Sequence, residues 1–309
     1  MTRSIEREDL TAGPPPGAPG SLEGVSLEEV QLAARNHGMP LEALRYDVTP
    51  PGLHYLLTHF DIPDVDAGSY RLEVRGNVER TLALSMEEIR AMDRVTLPVT
   101  LECAGNGRAK LSPRPASQPW LNEAVGTAEW TGTPLRAVLE QAGVGEGAVE
   151  VVFTGHDRGV QSEIEHDYER SLSVDVALRP EMLLAYEMNG RPLLPQHGFP
   201  VRLIVPGWYG MTSVKWLRSV TVQDEPFLGY QQAVAYHVRR TEDDPGTPVS
   251  RIFPRALMIP PGIPEFFSRL RRVEPGRVVL RGRAWSGWAP IVRVEVSADG
   301  GTTWADATV

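Results

Sequence analysis

One short segment constrains this chain more than any other: residues 101–108, with the sequence LECAGNGR, contain the only cysteine among 309 residues. An apolar, β-rich run at residues 95–101 leads into it, so Cys103 is predicted to lie where a buried strand ends in a loop. Two glycines let the backbone approach a ligand closely, and Arg108 supplies a positive charge that favours the thiolate. The pattern indicates a nucleophile or a soft-metal ligand, although a free cysteine is more often an inert buried side chain.

The rest of the composition excludes several classes of protein. A single cysteine rules out a disulfide framework, a CxxC redox pair, a four-thiolate iron–sulfur cluster and the CxxCH attachment of a c-type haem, so we predict no haem and, for a redox enzyme, an external electron acceptor. The formal net charge of −9 argues against nucleic acid as a partner. No run reaches the ~18 apolar residues of a membrane span. The first residues lack an export signal, which predicts a cytoplasmic location, or a periplasmic one if a signal has been removed.

Helix and strand patterns alternate irregularly, which predicts an α+β fold with a mixed sheet instead of a doubly wound one. Capping boxes at Ser26 and Ser85 begin two helices, and a third is predicted with Thr133 as N-cap and Gly143 past its end. Strands are predicted at residues 70–74, 95–101, 150–154 and 200–205.

Proline and glycine clusters divide the chain. Residues 1–24 are predicted to form a flexible arm and residues 25–240 the main domain. A connection is expected at residues 241–265, and strands at 277–285, 291–297 and 302–304 then begin an all-β domain within the segment 241–309. Two or three strands cannot close a sandwich, so that domain is expected to be partial.

Two loops rich in histidine and aromatic residues, at residues 36–40 and 49–55, are expected to line the site. For His37 and His54 taken singly, a solvated surface loop is an equal alternative.

The cysteine segment resembles the molybdenum-ligand segment of the sulfite oxidase family. A second signature of that family is matched in order by NG at 189–190, PQHGFPVR at 195–202, VPG at 205–207 and VKWL at 214–217. The resemblance implies an oxidoreductase that binds the molybdenum cofactor through a molybdopterin-binding domain. It also implies that the C-terminal strands begin an immunoglobulin-like dimerisation domain, and hence a homodimer.

The resemblance further assigns individual residues. It implies that Cys103 is the metal ligand and that Arg108, Trp120 and Tyr236 face the substrate. The residues implied for pterin binding are His59, Asp157, His197, Arg202 and Lys215, with Ser213 and Ser171 as further candidates. From the residues alone, a Cys–His hydrolase remains the rival interpretation, and the sequence cannot locate the histidine base it needs.

Two departures from the family pattern concern the substrate pocket. Leu57 stands where the family usually has an arginine, and Pro290 ends a stretch that usually carries a glycine run followed by arginine. Arg35 and Arg158 are candidate replacements. We therefore predict oxygen-atom transfer, sulfite to sulfate, with three alternatives: reduction of nitrate, reduction of a sulfoxide, and storage of the cofactor without catalysis. A storage protein would not need the three substrate-facing residues.

Overall fold

The computed structural model describes residues 26–112, 115–239, 241 and 243–309, so the arm predicted for residues 1–24 lies outside the described part of the chain. Within those ranges the helices are α1 Leu27–Arg35, α2 Met86–Ala91, α3 Leu135–Ala142 and α4 Val174–Ala177. Short 3-10 helices lie at Leu41–Arg45, Pro51–Leu53, Arg108–Lys110, Pro195–His197 and Gly210–Thr212, and a π-helical turn lies at Gln231–Ala235. None of the described helices is long and apolar enough to cross a membrane.

The first ten strands form two sheets. They are β1 Leu72–Gly76, β2 Leu82–Leu84, β3 Val95–Glu102, β4 Val125–Pro134, β5 Glu150–Gln161, β6 Ile164–Ser173, β7 Leu183–Met188, β8 Arg191–Pro192, β9 Arg202–Ile204 and β10 Leu217–Gln223. One sheet has the order β2-β1-β10-β5-β6. In it β1 and β10 are parallel, and the other three pairs of neighbouring strands are antiparallel. The other has the order β3-β4-β7-β8, with β9 also paired to β7. The predicted α+β fold with a mixed sheet is confirmed.

The two capping boxes begin helices as predicted. Ser26 and Ser85 each accept a hydrogen bond from the backbone N–H three residues on, and the carboxylates of Glu29 and Glu88 accept one from the backbone N–H of the cap serine. The prediction for Thr133 is wrong, because β4 continues through Pro134 and the Thr133 hydroxyl donates to the Ile89 carbonyl at 2.7 Å.

Strand β5 is longer than the predicted 150–154. Its ladder with β6 shifts register between Thr154 and Arg158, and the strand then continues to Gln161. The segment 155–159 (GHDRG) predicts a loop after the strand, but the chain forms a bulge there and its pairing with β6 then resumes.

The core lies mainly between the helices and the two sheets. Helix α3 buries Leu135, Val138, Leu139 and Ala142, the apolar face expected of an amphipathic helix. A second buried cluster surrounds the end of β3 and includes Leu101, Cys103, Trp120 and Trp130.

The remaining strands form pairs in the C-terminal part of the chain. They are β11 His237–Val238, β12 Thr247–Pro248, β13 Arg255–Met258, β14 Ile263–Pro264, β15 Arg271–Arg272, β16 Gly282–Trp285, β17 Glu295–Val296 and β18 Ala305–Asp306. Because β13 pairs with β16, all-β pairing begins inside the predicted connection at 241–265. The strand predicted at 302–304 is absent, since the Asp299 carboxylate accepts the backbone N–H groups of Thr302 and Thr303 and holds a turn there.

Candidate functional site

A cleft opens beside Cys103 where β3 ends. The space between its walls, with the solvent at its open mouth included, is about 640 Å³. Its walls are built by His54, Tyr55, Leu56, Leu57, His59, Leu101, Cys103, Asp157, Tyr168, His197, Arg202, Gly210, Met211, Ser213, Lys215 and Tyr236.

Most residues singled out in the sequence meet in this cleft, although they come from distant segments. Those that line it are His59, Cys103, Asp157, His197, Arg202, Ser213, Lys215 and Tyr236. Arg108, Trp120 and Ser171 do not line it. The loop at residues 49–55 contributes His54 and Tyr55 as expected, whereas His37 is exposed and outside the cleft.

Cys103 is held by backbone hydrogen bonds on both sides. Its N–H donates to the Ala124 carbonyl at 2.9 Å, and its carbonyl accepts the Asn106 N–H at 2.9 Å. Burial raises the pKa of the Cys103 thiol, and the opposing effects of the Gly105 N–H and Arg108 are smaller. The predicted influence of Arg108 is therefore outweighed by desolvation, and a bound soft metal would be needed to hold the thiolate.

Three histidines line the cleft, of which His54 and His197 are buried and His59 is partly buried, and desolvation favours the neutral form of each. Burial lowers the pKa of His54 to about 4, of His59 to about 3 and of His197 to about 3. No hydrogen bond among the described residues joins any of them to the Cys103 sulfur. A high-pKa thiol without a basic partner does not support the Cys–His hydrolase interpretation.

Arg202 is a buried cation without an anionic partner among the described residues. Its Nη1 donates to the His197 carbonyl at 3.0 Å and its Nη2 to the Ser213 carbonyl at 2.9 Å, while Nε donates to nothing described. The guanidinium lies 4.8 Å from the centroid of the Trp130 ring. Burial lowers the pKa of Arg202 to about 10.

Lys215 is the second cation of the cleft and is partly buried. Its Nζ donates to the Leu57 carbonyl at 2.9 Å and to the Gln196 carbonyl at 3.2 Å, and it lies 4.2 Å from the Trp216 ring centroid. Burial lowers the pKa of Lys215, and the Asp157 carboxylate opposes this. Burial also raises the pKa of Asp157, whose Oδ1 has no partner among the described residues.

These groups fit a cofactor that carries a phosphate and a pterin ring. The buried Arg202 and the partly buried Lys215 share the cleft with the buried Asp157 carboxylate, and the Arg202 Nε–H has no partner among the described residues. Phosphate oxygens would satisfy such donors with charge-assisted hydrogen bonds. The Asp157 carboxylate would accept N–H groups of a heterocycle, and the neutral histidines can donate or accept.

The three residues predicted to face substrate surround the cysteine. The Tyr236 hydroxyl lies 2.8 Å from His59 Nε2. Arg108 Nη1 donates to Ser117 Oγ at 2.9 Å, and a Cβ on Gly105 would lie 2.3 Å from Arg108 Nη2, so a side chain at position 105 would shift this guanidinium. Trp120 is buried in the cluster around Cys103, and a hydrogen bond from its side chain to the thiol opposes the rise in the Cys103 pKa.

The candidate replacements for the absent arginines differ in position. Arg158 is exposed and paired with Glu165 and Asp167, so its charge is engaged outside the cleft. Arg35, also exposed, donates to the His59 carbonyl at 3.2 Å. Leu57 lines the cleft, whereas Pro290 is exposed and does not.

Two residues that the sequence did not reveal lie on β6. The Tyr168 hydroxyl donates to the Met211 carbonyl at 2.8 Å in the wall of the cleft. Arg170 is fully buried, donates to the Gln231 and Val249 carbonyls at 2.5 and 3.2 Å, and lies 5.8 Å from the Tyr236 ring centroid. The available signal in the sequence was their spacing of two, which places both side chains on the same face of a strand.

A buried carboxylate ties the C-terminal strands to the cysteine segment. Glu102 Oε1 accepts Arg255 Nη1 at 2.9 Å and Asn106 Nδ2 at 3.1 Å, and its Oε2 accepts Trp285 Nε1 at 2.7 Å. Burial raises the pKa of Glu102, and the hydrogen bond from Trp285 and the charge of Arg255 oppose this. Arg255 of β13 and Trp285 of β16 therefore hold the end of β3, directly before Cys103.

Replacing Trp285 with phenylalanine is expected to lower the free energy of unfolding by ~1.5–3 kcal/mol, because a buried carboxylate loses one donor. Urea unfolding of the cofactor-free protein measures the change. Trp288→Phe is the matched control, since Trp288 is exposed and should shift stability by no more than ~0.5 kcal/mol. Equal effects of the two substitutions would show that the Glu102 contact contributes nothing.

Comparison with known proteins agrees with this geometry. The family model described as oxidoreductase molybdopterin binding domain matches residues 59–231. The chain is 37% identical to the sulfite oxidase of Gallus gallus, over 97% of this chain and 66% of that protein. It is 35% identical to the mitochondrial sulfite oxidase of Rattus norvegicus, over 84% of this chain and 49% of the relative.

Other relatives have different activities. The NADH nitrate reductase of Ulva prolifera is 34% identical, over 84% of this chain and 32% of its own length. The chain thus spans about a third to two thirds of the length of these curated relatives. Among solved structures, the sulfane dehydrogenase SoxCD of Paracoccus pantotrophus has the same fold, with a TM-score of 0.74 over 98% of this chain and 78% of that one at 24% identity.

Proposed function

This chain belongs to the family of oxidoreductases with a molybdopterin-binding domain that includes the sulfite oxidases, and from that membership we propose that it oxidises sulfite to sulfate in the cleft beside Cys103. Sulfite gains an oxygen atom that derives from water, and two protons and two electrons are released. The electrons pass to an external acceptor, because one cysteine cannot hold an iron–sulfur cluster, which needs several thiolate ligands.

One observation carries the proposal: a buried thiol lies in the same cleft as the buried Arg202 and the partly buried Lys215, and neither cation forms a salt bridge with a described residue. The molybdenum cofactor, when bound, would supply the two-electron redox chemistry and the transferable oxygen. Cys103 would be its thiolate ligand, since soft thiolate suits such a metal. Arg202 and Lys215 would hold its phosphate, and Asp157 would orient its ring.

The substrate side follows from charge and hydrogen bonding. Arg108 would hold the oxyanion by charge-assisted hydrogen bonds. Burial raises the pKa of Tyr236 well above its usual range, so the phenol remains protonated and can donate to a substrate oxygen. His59, neutral in this site, holds the Tyr236 hydroxyl in place.

Nitrate reduction is the second candidate, supported by the nitrate reductases among the relatives. Nitrate has a single negative charge, which suits a cleft that is lined by Leu57 where the family usually has an arginine. One preparation can compare sulfite-dependent reduction of an artificial acceptor with nitrate-dependent oxidation of a reduced dye. The proposal predicts faster turnover with sulfite, and turnover with nitrate alone would contradict it. If neither sulfite nor nitrate is turned over, storage of the cofactor without catalysis is the remaining alternative.

Replacing Leu57 with arginine is expected to lower the KM for sulfite by about 10- to 100-fold, because one more charge-assisted hydrogen bond is worth ~1.5–3 kcal/mol. Little change in kcat is expected, since the bond would form in the ground state and the transition state alike. Steady-state kinetics measures both. Leu57→Met is the neutral control. Unchanged sulfite kinetics in Leu57→Arg, with good turnover of a neutral sulfoxide by the parent, would show that the pocket accepts uncharged molecules.

We also propose a twofold dimer through the C-terminal strands, which rests on the resemblance of that part to the family's dimerisation domain. Sedimentation of the whole chain at micromolar concentration is expected to give twice the monomer mass. A monomer under those conditions would contradict the proposal.

A further inference from the structure

Tyr55 is the aromatic residue of the cleft whose hydroxyl remains uncommitted. Three tyrosines line the cleft: Tyr55, Tyr168 and Tyr236. The Tyr168 hydroxyl donates to the Met211 carbonyl, and the Tyr236 hydroxyl is bonded to His59. Within the described part of the chain, the Tyr55 hydroxyl has no hydrogen-bond partner, although only 9% of the residue is exposed. The hydroxyl oxygen is not shut off from solvent, so it can donate a hydrogen bond to a ligand that enters the cleft.

The position of this hydroxyl is defined by Gly210 and the peptide before Cys103. A Cβ on Gly210 would lie 2.2 Å from the Tyr55 hydroxyl oxygen and 3.4 Å from the Glu102 carbonyl oxygen. The hydroxyl thus lies over the Gly210 Cα, near the peptide that joins Glu102 to the cysteine. A side chain at position 210 would displace it, which explains the glycine.

The phenol is also held rigidly. The Tyr55 ring stacks on His54 with centroids 5.2 Å apart, and the Tyr55 carbonyl lies 2.9 Å from His54 Nδ1. The next residue, Leu56, pairs with His37 through two backbone hydrogen bonds of 2.8 and 3.2 Å. An oriented donor with few alternative rotamers loses little entropy when a ligand accepts its hydrogen bond.

We propose that Tyr55 is a substrate-binding residue whose hydroxyl donates a hydrogen bond to an oxygen of the sulfur oxyanion, pyramidal in sulfite and tetrahedral in sulfate. This assignment rests on the proposed function and extends it. Leu57, two residues further on, supplies no charge to the pocket, and a neutral donor from the same segment takes over part of the binding. Tyr55 acts from the side of Gly210, in the cleft that Tyr236 also lines.

The test uses the cofactor-loaded protein and sulfate, the product oxyanion, as probe. Tyr55→Phe keeps the ring and its stacking, so molybdenum and pterin contents should equal those of the parent. Sulfate affinity measured by titration calorimetry is expected to fall by ~10-fold, and the KM for sulfite should rise by a similar factor. Tyr186→Phe, a buried tyrosine outside the cleft, is the control and should leave both constants unchanged.

The two hypotheses fail in different ways. Sulfate affinity unchanged in Tyr55→Phe, with normal sulfite turnover by the parent, overturns the Tyr55 assignment alone. A cofactor-loaded parent that neither binds sulfate nor oxidises sulfite overturns the proposed function and this assignment together.

Discussion

Replacing Cys103 with serine is expected to abolish nearly all turnover while the protein still folds and retains pterin. Serine has nearly the same shape and can keep the backbone bonds to Ala124 and Asn106, so the end of β3 should be preserved. Its hydroxyl is a hard ligand that stays protonated at neutral pH, and it cannot replace a soft thiolate on the metal. Sulfite-dependent reduction of an artificial acceptor, with pterin released and quantified separately, measures the two effects.

Cys103→Ala is the companion variant, because it removes the ligand without introducing a buried hydroxyl. Both variants should behave alike in turnover and in retained pterin. Activity equal to that of the parent in either one would remove the assignment of Cys103 as the metal ligand. Loss of pterin together with activity in both would instead make the cysteine a determinant of cofactor retention.

Replacing Arg202 with methionine is expected to reduce the molybdenum and pterin content per chain by ~10-fold or more. The guanidinium is buried, and its Nε has no partner in the described chain, so the account assigns it to the cofactor phosphate. Each hydrogen bond to a charged group is worth ~1.5–3 kcal/mol, which is ~10- to 100-fold in affinity. Metal analysis and pterin fluorescence on the purified variant measure the loss.

The controls separate a binding role from a structural one. Arg202→Lys keeps the charge but not the planar fork, so it should retain an intermediate amount of cofactor. Arg136→Met removes an exposed arginine that pairs with Glu140 at 2.6 Å on α3, and its cofactor content should match the parent. Circular dichroism checks that each variant is folded. A folded Arg202→Met protein with full cofactor content would refute the assignment.

Much of the fold was predictable wherever a local rule decided it. The capping boxes at Ser26 and Ser85 and the apolar face of α3 depend on neighbours three or four residues apart, and the structure follows them. Thr133 has the residue type of an N-cap, but pairing of β4 with β7 extends to Pro134 and takes the threonine into the sheet. The conformation of Thr133 is therefore set by pairing with a distant strand, which a rule based on neighbouring residues cannot predict.

In the site, too, the sequence predicts residues that belong to a motif and misses residues that come together only through tertiary contacts. The motifs around Cys103 and Arg202 were found because their order and residue types match a family pattern, and the structure places them in one cleft. Tyr168 and Arg170 were missed because an inward-facing polar residue on a strand looks like any exposed one until the sheet is assembled. The contact of Glu102 with Trp285 joins residues 183 positions apart, which periodicity cannot reveal.

The central claim is that the cleft beside Cys103 holds a molybdenum cofactor that oxidises sulfite. Sulfite-dependent reduction of an artificial acceptor, measured on the whole chain and divided by molybdenum content, tests it most directly. The account predicts a turnover proportional to molybdenum across preparations, and none in protein without the metal. Molybdenum-loaded protein that fails to reduce the acceptor with sulfite would contradict the account.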